Sequence, residues 1–479
     1  MSDAFLQEII ARPDDDAPRL IYADYLEEQG DPRGEFIRLQ CQAAKDPFAE
    51  IASARADYLL RKHGRKWRKA DALKKNACEH YQRGFPTRIV GSIENFVQHA
   101  RDLRKRIPAP LLKTAQNAAD DMKLLADSGL PPWLEGLDIA NFSDKDGAWR
   151  QMLQAAAAAA LRTLKIDYWA REDEAQWSEQ LAESPLAERL QRLTTRCGLW
   201  EKFAAKTARP GRSRLKNLHT LELRDAIPQA DPSPSPPCEL PALRRLKVVG
   251  HARASTWRCV QKLQASGEIE RLEIAHPDSP QWRRLLGSPV LENVRELILG
   301  EIHDAATIHT LARRPGWSGA MRLLRIGPNA PAKELSDWLQ SSWMQNLRTL
   351  HLYAHYESVE ALARSPYLGK IRHLVLGKAG ASEVLSLTKS PSIQELHVLE
   401  INREPGNDNS AAFLANWPVM ESVVCLGLLN PGVTFESCRA LCKSPHLQRL
   451  LHLRVSAMLP KKCRKALLNR FGEHVCEFV

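Results

Sequence analysis

A short pattern, apolar-x-x-apolar-x-apolar, recurs along most of this 479-residue chain. Copies stand at Leu134-Leu137-Ile139, Leu161-Leu164-Ile166, Leu218-Leu221-Leu223, Leu243-Leu246-Val248, Ile269-Leu272-Ile274 and Val294-Leu297-Leu299. Others follow at Met321-Leu324-Ile326, Leu347-Leu350-Leu352, Ile371-Leu374-Leu376, Ile393-Leu396-Val398 and Leu447-Leu450-His452. Weaker copies at Leu190-Leu193 and Met420-Val423 bring the total to thirteen, at a mean spacing near 26 residues between Leu137 and Leu450. A repeat of that length constrains the fold more tightly than any composition, because one unit cannot bury its own apolar face. The x-apolar-x-apolar core alternates with period 2, so each copy predicts a short strand with one buried side. Helix-like stretches lie between copies, at residues 360–364 and 435–441 for example. Many close on Ser-Pro: Ser184-Pro185, Ser288-Pro289, Ser365-Pro366, Ser390-Pro391 and Ser444-Pro445. Proline cannot continue a helix, so each one stops it and turns the chain toward the next strand. Stacked strand–helix units then share a continuous core, which predicts an α/β solenoid.

Composition agrees with an ordered chain. Apolar residues make up 44% and charged residues 26%, enough apolar surface to offset the entropy of ordering. No stretch approaches 18 uncharged apolar residues, so no membrane span is expected. The start, MSDAFLQEIIARPDDD, has neither a basic nor an apolar signal region. A cytoplasmic, reducing setting is expected, with the ten Cys as free thiols.

The N-terminal segment differs in character. Asp16-Ala17-Pro18 predicts a helix start, Leu20, Ile21, Tyr25 and Leu26 form its apolar stripe, and Gly30 ends it. Asp31-Pro32 opens a second helix carrying Phe36, Ile37 and Leu39. Residues 1–45 hold ten acidic and five basic side chains.

The repeat array resembles the leucine-rich repeat family, with units of the form L-x-x-L-x-L-x-x-N/C. Asn329 sits at the offset of the family's Asn, whereas most copies carry Gly, Asp or Pro nearby. The resemblance implies a ribonuclease-inhibitor-like horseshoe of about 13 repeats, preceded by a small α-helical domain. The run DDDAPRLIYADYLEE at 14–28, followed by GDPRGEFIRLQ at 30–40, is similar to the bacterial repeat-companion domain, a short module found ahead of repeat arrays. His63-Gly64, Trp67, Arg83-Gly84-Phe85, Phe96 and the C-terminal Arg470-Phe471-Gly472 with Val475 and Phe478 are also similar to those proteins. The resemblance implies an architecture and no reaction. The expected organisation is a helical companion domain at 1–45, a basic helical junction and N-terminal cap at 46–130, and the solenoid at 131–479 with a terminal strand at 475–479.

Residues 55–113 carry sixteen Lys or Arg against five Asp or Glu. Arg61, Lys62, Arg65, Lys66, Trp67, Arg68 and Lys69 form the densest run. One reading is a phosphate or nucleic-acid patch with Trp67 as a stacking group. The other is a solvated helix face with Trp67 packed into the junction. Residues 148–161, with six consecutive Ala, predict a helix. The Pro-rich stretch 228–237 predicts an extended loop in place of one repeat's helix.

Chemistry-bearing motifs are absent. There is no C-x-x-C, G-x-x-x-x-G-K-[ST], G-x-S-x-G, H-E-x-x-H or G-x-G-x-x-G. Cys438 and Cys442 stand a helical turn apart, but a core role is the simpler one for them. No metal and no cofactor are expected. On parallel strands, Arg245, Lys247, Arg271, Arg325, His351, Tyr353, His373 and His397 would point outward from a concave face. These residues predict a non-enzymatic protein-binding surface, with the basic run as the alternative for nucleic acid or an anionic surface.

Overall fold

The computed structural model describes residues 2–46, 48–71, 77–108, 111–114, 123–125, 127–128, 130–142, 147–158, 160–168, 174–196, 214–224, 240–249, 269–274, 283, 293–300, 302, 305–313, 323–326, 331–353, 356–377, 379–402, 410–429 and 434–479. The Pro-rich stretch 228–237, Ser288-Pro289 and Asn329 lie outside the described residues. The chain divides into two compact units. The first comprises Met1–Lys45 and His63–Ile269, the second Asp46–Lys62 and Glu270–Val479.

The first unit opens with helices α1 (Ser2–Ala11), α2 (Ala17–Glu28) and α3 (Arg33–Lys45). Ile9, Ala23, Leu26, Ile37 and Cys41 meet Phe85 in their shared core. The cap of α2 differs from expectation. Asp16 makes no capping hydrogen bond; instead the Asp15 carboxylate accepts from the Ala17 N–H at 2.9 Å. The Asp31 side chain accepts from the Arg33 N–H at the start of α3. Helix α4 (Glu50–Asp71) follows, and its second half belongs to this unit. There Arg33 forks onto Asp71, with both N···O distances 3.0 Å, and the Tyr81 hydroxyl donates to the same carboxylate at 2.7 Å. This two-pronged geometry holds a planar guanidinium well.

Strands β1 (Ala77–Gln82) and β2 (Phe85–Gly91) form an antiparallel hairpin. Arg83 and Gly84 make the turn, both with positive φ, 51° and 87°. A two-residue turn of this hand needs a residue that tolerates φ > 0. A side chain at Gly84 would also place Cβ 2.2 Å from Ile37 Cγ1. Helix α5 (Ile93–Arg104), capped by Ser92, leads to β3 (Leu111–Thr114), β4 (Gly136–Phe142), β5 (Thr163–Tyr168), β6 (Arg192–Arg196), β7 (Thr220–Arg224) and β8 (Arg245–Val249). From β2 onward each strand pairs in parallel with the next. Parallel pairing therefore begins inside segment 46–130, with Ile89 and Leu112 buried in the ladder ahead of Leu137. The full six-residue pattern does not flag these strands because Gly91 and Thr114 stand two places after the ladder residues, where the pattern needs an apolar side chain.

In the second unit, β9 (Arg271–Ile274), β10 (Glu296–Leu299), β11 (Leu323–Ile326), β12 (Thr349–Tyr353), β13 (His373–Gly377), β14 (Val398–Asn402), β15 (Cys425–Leu429), β16 (His452–Val455) and β17 (Cys476–Phe478) pair in parallel, each with its successor. Helices Tyr356–Arg364, Ala381–Thr388 and Phe435–Lys443 are among those between strands. An open parallel array with intervening helices is compatible with an α/β solenoid. Leu324, Leu350, Leu374, Leu399, Leu426 and Leu453 form one fully buried rung after another. Each buried Leu contributes about 1.5–3 kcal/mol of transfer free energy.

Three copies shift register. Leu396, Val423 and Leu450, expected at the middle apolar position, lie before their strands, and Leu399, Leu426 and Leu453 take that place. The local sequence fits both readings: Ile393, Leu396, Val398 and Leu396, Leu399, Ile401 each satisfy the pattern. Pairing with the preceding strand decides between them. Two of the serines at the Ser-Pro stops also donate hydrogen bonds. Ser184 Oγ donates to the Leu181 carbonyl at the end of its own helix, and Ser444 Oγ donates back to the Ala415 carbonyl of the preceding repeat at 2.6 Å.

Candidate functional site

Side chains alternate along each strand of the second unit, so those between the buried leucines share the opposite face. One register row there runs Arg325, His351, Val375, Glu400, Gly427, Arg454 and Glu477. Arg325 Nε donates to His351 Nδ1 at 2.9 Å. The His351 and His373 rings lie 4.9 Å apart. Asn402 Nδ2 donates to the Tyr353 hydroxyl at 3.3 Å. Tyr353 lies across the backbone of Gly377, where an added Cβ would come 1.9 Å from the ring. Arg325, His351, Tyr353 and His373 are thus brought together on β11–β13, and Asn402 of β14 joins them. The alternating pattern marks which positions face outward; it gave no reason to single out Asn402, whose role depends on a neighbour 49 residues away.

Burial, with the Arg325 guanidinium and the neighbouring His373 acting in the same direction, pushes His351 down to about 3. Burial lowers His373 as well. Both rings are neutral at neutral pH. Because His351 Nδ1 accepts from Arg325, its proton sits on Nε2. That Nε2, the Nε2 of His373 and the Asn402 Oδ1 are buried and have no hydrogen-bond partner among the described residues.

The remaining outward residues fall elsewhere. Arg271 pairs with Glu296 at 2.7 Å on neighbouring strands. Arg245 and Lys247 lie on β8 of the first unit, where Arg245 is exposed and Lys247 stands beside Glu222 in register. His397 does not enter the row with His351; Glu400 holds that place. The reason is the same three-residue register shift of β14.

His397 instead meets α4. Its Nδ1 lies 3.5 Å from Glu50 and its Nε2 3.1 Å from Glu395. These two carboxylates raise its pKa, with the Glu50 hydrogen bond the larger cause. Farther along the same helix, Arg61 donates from Nε to the His474 carbonyl at 3.0 Å and from Nη2 to the Leu451 carbonyl at 2.8 Å. Residues 50–62 therefore lie along the strand-start side of β14–β17. Arg61 is consumed in holding them there. Asp57 faces a cavity of about 380 Å³ beside Cys425, Gly427 and Arg454.

The basic run is split by its own helical periodicity. Arg65, Lys66, Arg68 and Lys69 are exposed, and Lys62 stacks over Tyr58 at 5.9 Å. Trp67 is buried, its ring 4.8 Å from Phe36 and 5.6 Å from His63. It is a core residue of the first unit.

Burial raises Cys438, which interacts with Cys463, to about 12 and Cys476 to about 11, so these thiols stay protonated and poorly nucleophilic at neutral pH. Among the described residues no group of three or more His, Cys, Asp or Glu is arranged to hold a metal ion. No described helix is long and apolar enough to cross a membrane. No family model matches this chain, and no curated protein matches it.

Proposed function

We propose that this chain is a non-enzymatic, cytoplasmic binding scaffold of the leucine-rich-repeat type. Its finer organisation in this reading is a ribonuclease-inhibitor-like array of about 13 repeats over 131–479, a junction and cap at 46–130, and a bacterial repeat-companion module at 1–45. The partner is a protein. One observation carries this reading: a rigid polar cluster on β11–β14 presents buried, unpaired donors and acceptors. His351 Nε2–H needs an acceptor, and leaving it unmade costs about 1–3 kcal/mol. Arg325 beside it favours a carboxylate. The fitting partner therefore offers an acidic side chain to Arg325, the exposed member of the cluster. Parallel strands hold such a grid at fixed spacing, which suits protein recognition. The test is affinity purification with wild-type protein beside Arg325→Glu and His351→Phe. Proteins captured by the wild type and lost with both variants support the reading. An unchanged set of captured proteins would defeat it.

A second reading rests on Arg65, Lys66, Arg68 and Lys69, four exposed cations on one helix, and assigns them to nucleic acid or an anionic surface. If they neutralise four phosphates of duplex DNA, log K against log salt slopes at roughly −3 to −4. A filter-binding titration showing no salt dependence would remove this reading.

A further inference from the structure

The first unit contains a cleft of about 430 Å³ on the strand-start side of β3–β6, its floor lined by the α1–α2 corner and the β1–β2 hairpin. Its wall is unusually rich in one side chain. Arg19, Arg83, Arg88, Arg162 and Arg192 all line it, against the carboxylates of Asp14 and Glu135. Those arginines come from separate parts of the chain, and only the fold brings them together.

Their existing bonds leave much of this charge unanswered. Arg19 is 4% exposed. It donates from Nη1 to the Asp15 carbonyl at 2.7 Å, while its Nε is buried with no hydrogen-bond partner among the described residues. Its guanidinium carbon lies 6.0 Å from the Phe85 ring centre. Arg88 Nη1 lies 2.9 Å from His80 Nε2, a neutral acceptor when it takes that bond, and the Arg88 Nε is also buried without a partner. Arg83 is partly satisfied: its Nη1 donates to the Asp14 carbonyl, while its Nε, 3.3 Å from Asp16, makes no hydrogen bond among the described residues. Arg162 and Arg192 are exposed at the mouth, and the Glu135 carboxyl between them is the group they act on. Arg19, Arg83 and Arg88 each keep a buried Nε without a hydrogen-bond partner among the described residues, and desolvating a guanidinium without filling its donors is costly, which favours an anion in this cleft.

We propose that this cleft binds a small phosphorylated molecule, with the phosphate oxygens bridging Arg19 and Arg88 at the floor and Arg162 and Arg192 at the mouth. Arginine forks match phosphate oxygens in pairs, and the excess of positive charge calls for a ligand bearing at least two negative charges. The volume falls in the range of small-molecule sites; it does not admit a folded protein. Phe85, Leu111 and Pro108 supply an apolar flank for the organic part. Glu135 sets a limit on affinity by repelling the ligand. This site is independent of the β11–β14 cluster.

Isothermal titration calorimetry on the full chain at physiological salt tests the assignment, with inorganic pyrophosphate and ADP as probes and adenosine as the uncharged control. Saturable binding of pyrophosphate or ADP, but not adenosine, is expected. Arg162→Ala and Arg192→Ala, both at exposed positions, should each weaken it at least tenfold without shifting the thermal midpoint. Glu135→Gln should tighten it several-fold, a gain that a merely structural role for the arginines does not produce. Lys66→Ala, far along the basic helix, should leave it unchanged. The proposal is overturned if neither anion saturates, if the two arginine variants bind as the wild type does, or if only a polynucleotide titrates.

Discussion

Single residues in this chain act through what surrounds them. Leu350 is fully buried and stands between Leu324 and Leu374 in the ladder. Leu350→Ala should cost roughly 2–5 kcal/mol, read from urea denaturation with an unchanged m-value. Two histidine sites give opposite pH responses. His397 is raised above its usual 6.5 by Glu50 and Glu395, so its contribution is complete below 6.5 and is lost as pH rises through the raised value. His351 is held near 3 by burial. The unfolded chain takes up that proton first, so this contribution is complete above 6.5 and declines as pH falls toward 3. Denaturation midpoints measured from pH 4 to 8 should separate them. Glu50→Gln should flatten the alkaline limb and His351→Phe the acidic limb. A wild-type acidic limb retained in His351→Phe would assign it elsewhere.

At the scale of elements, α4 shows how a segment that reads as a charged surface helix acquires several roles. Its sequence announces a basic helix. It does not announce that Arg61 will spend both ends of its guanidinium on the carbonyls of Leu451 and His474, or that Trp67 will be buried while its four cationic neighbours stay wet. Arg61→Ala should destabilise the second unit by about 2 kcal/mol, since hydrogen bonds from a charged donor are worth about 1.5–3 kcal/mol. Hydrogen exchange should quicken at the starts of β16 and β17 and stay unchanged at β12. The repeats were legible because burial demands an aliphatic residue at every second strand position, whatever lies far away. Register was legible only where one reading fitted. At β14–β16 two did, and strand pairing chose. His397 was misplaced on the outward row for that reason.

For the molecule as a whole, the last strand of the given sequence, β17, pairs in parallel with β16 and follows the helix Lys461–Phe471. Removing residues 461–479 would leave β16 with an open edge and uncover Leu453 and Val455, the kind of exposed strand that recruits other chains. Such a truncation should self-associate more than the full chain in size-exclusion chromatography with light scattering. The sequence by itself determined that strands and helices alternate and that aliphatic ladders must stack, because periodicity is a local demand repeated along the chain. Only the tertiary structure decided which outward side chains meet. His351, His373 and Asn402 come from three successive strands, and Arg19, Arg88, Arg162 and Arg192 from a helix, the hairpin, the residue before β5 and the start of β6. Contacts between such distant positions leave no trace in spacing; they exist only once the backbone has closed around them.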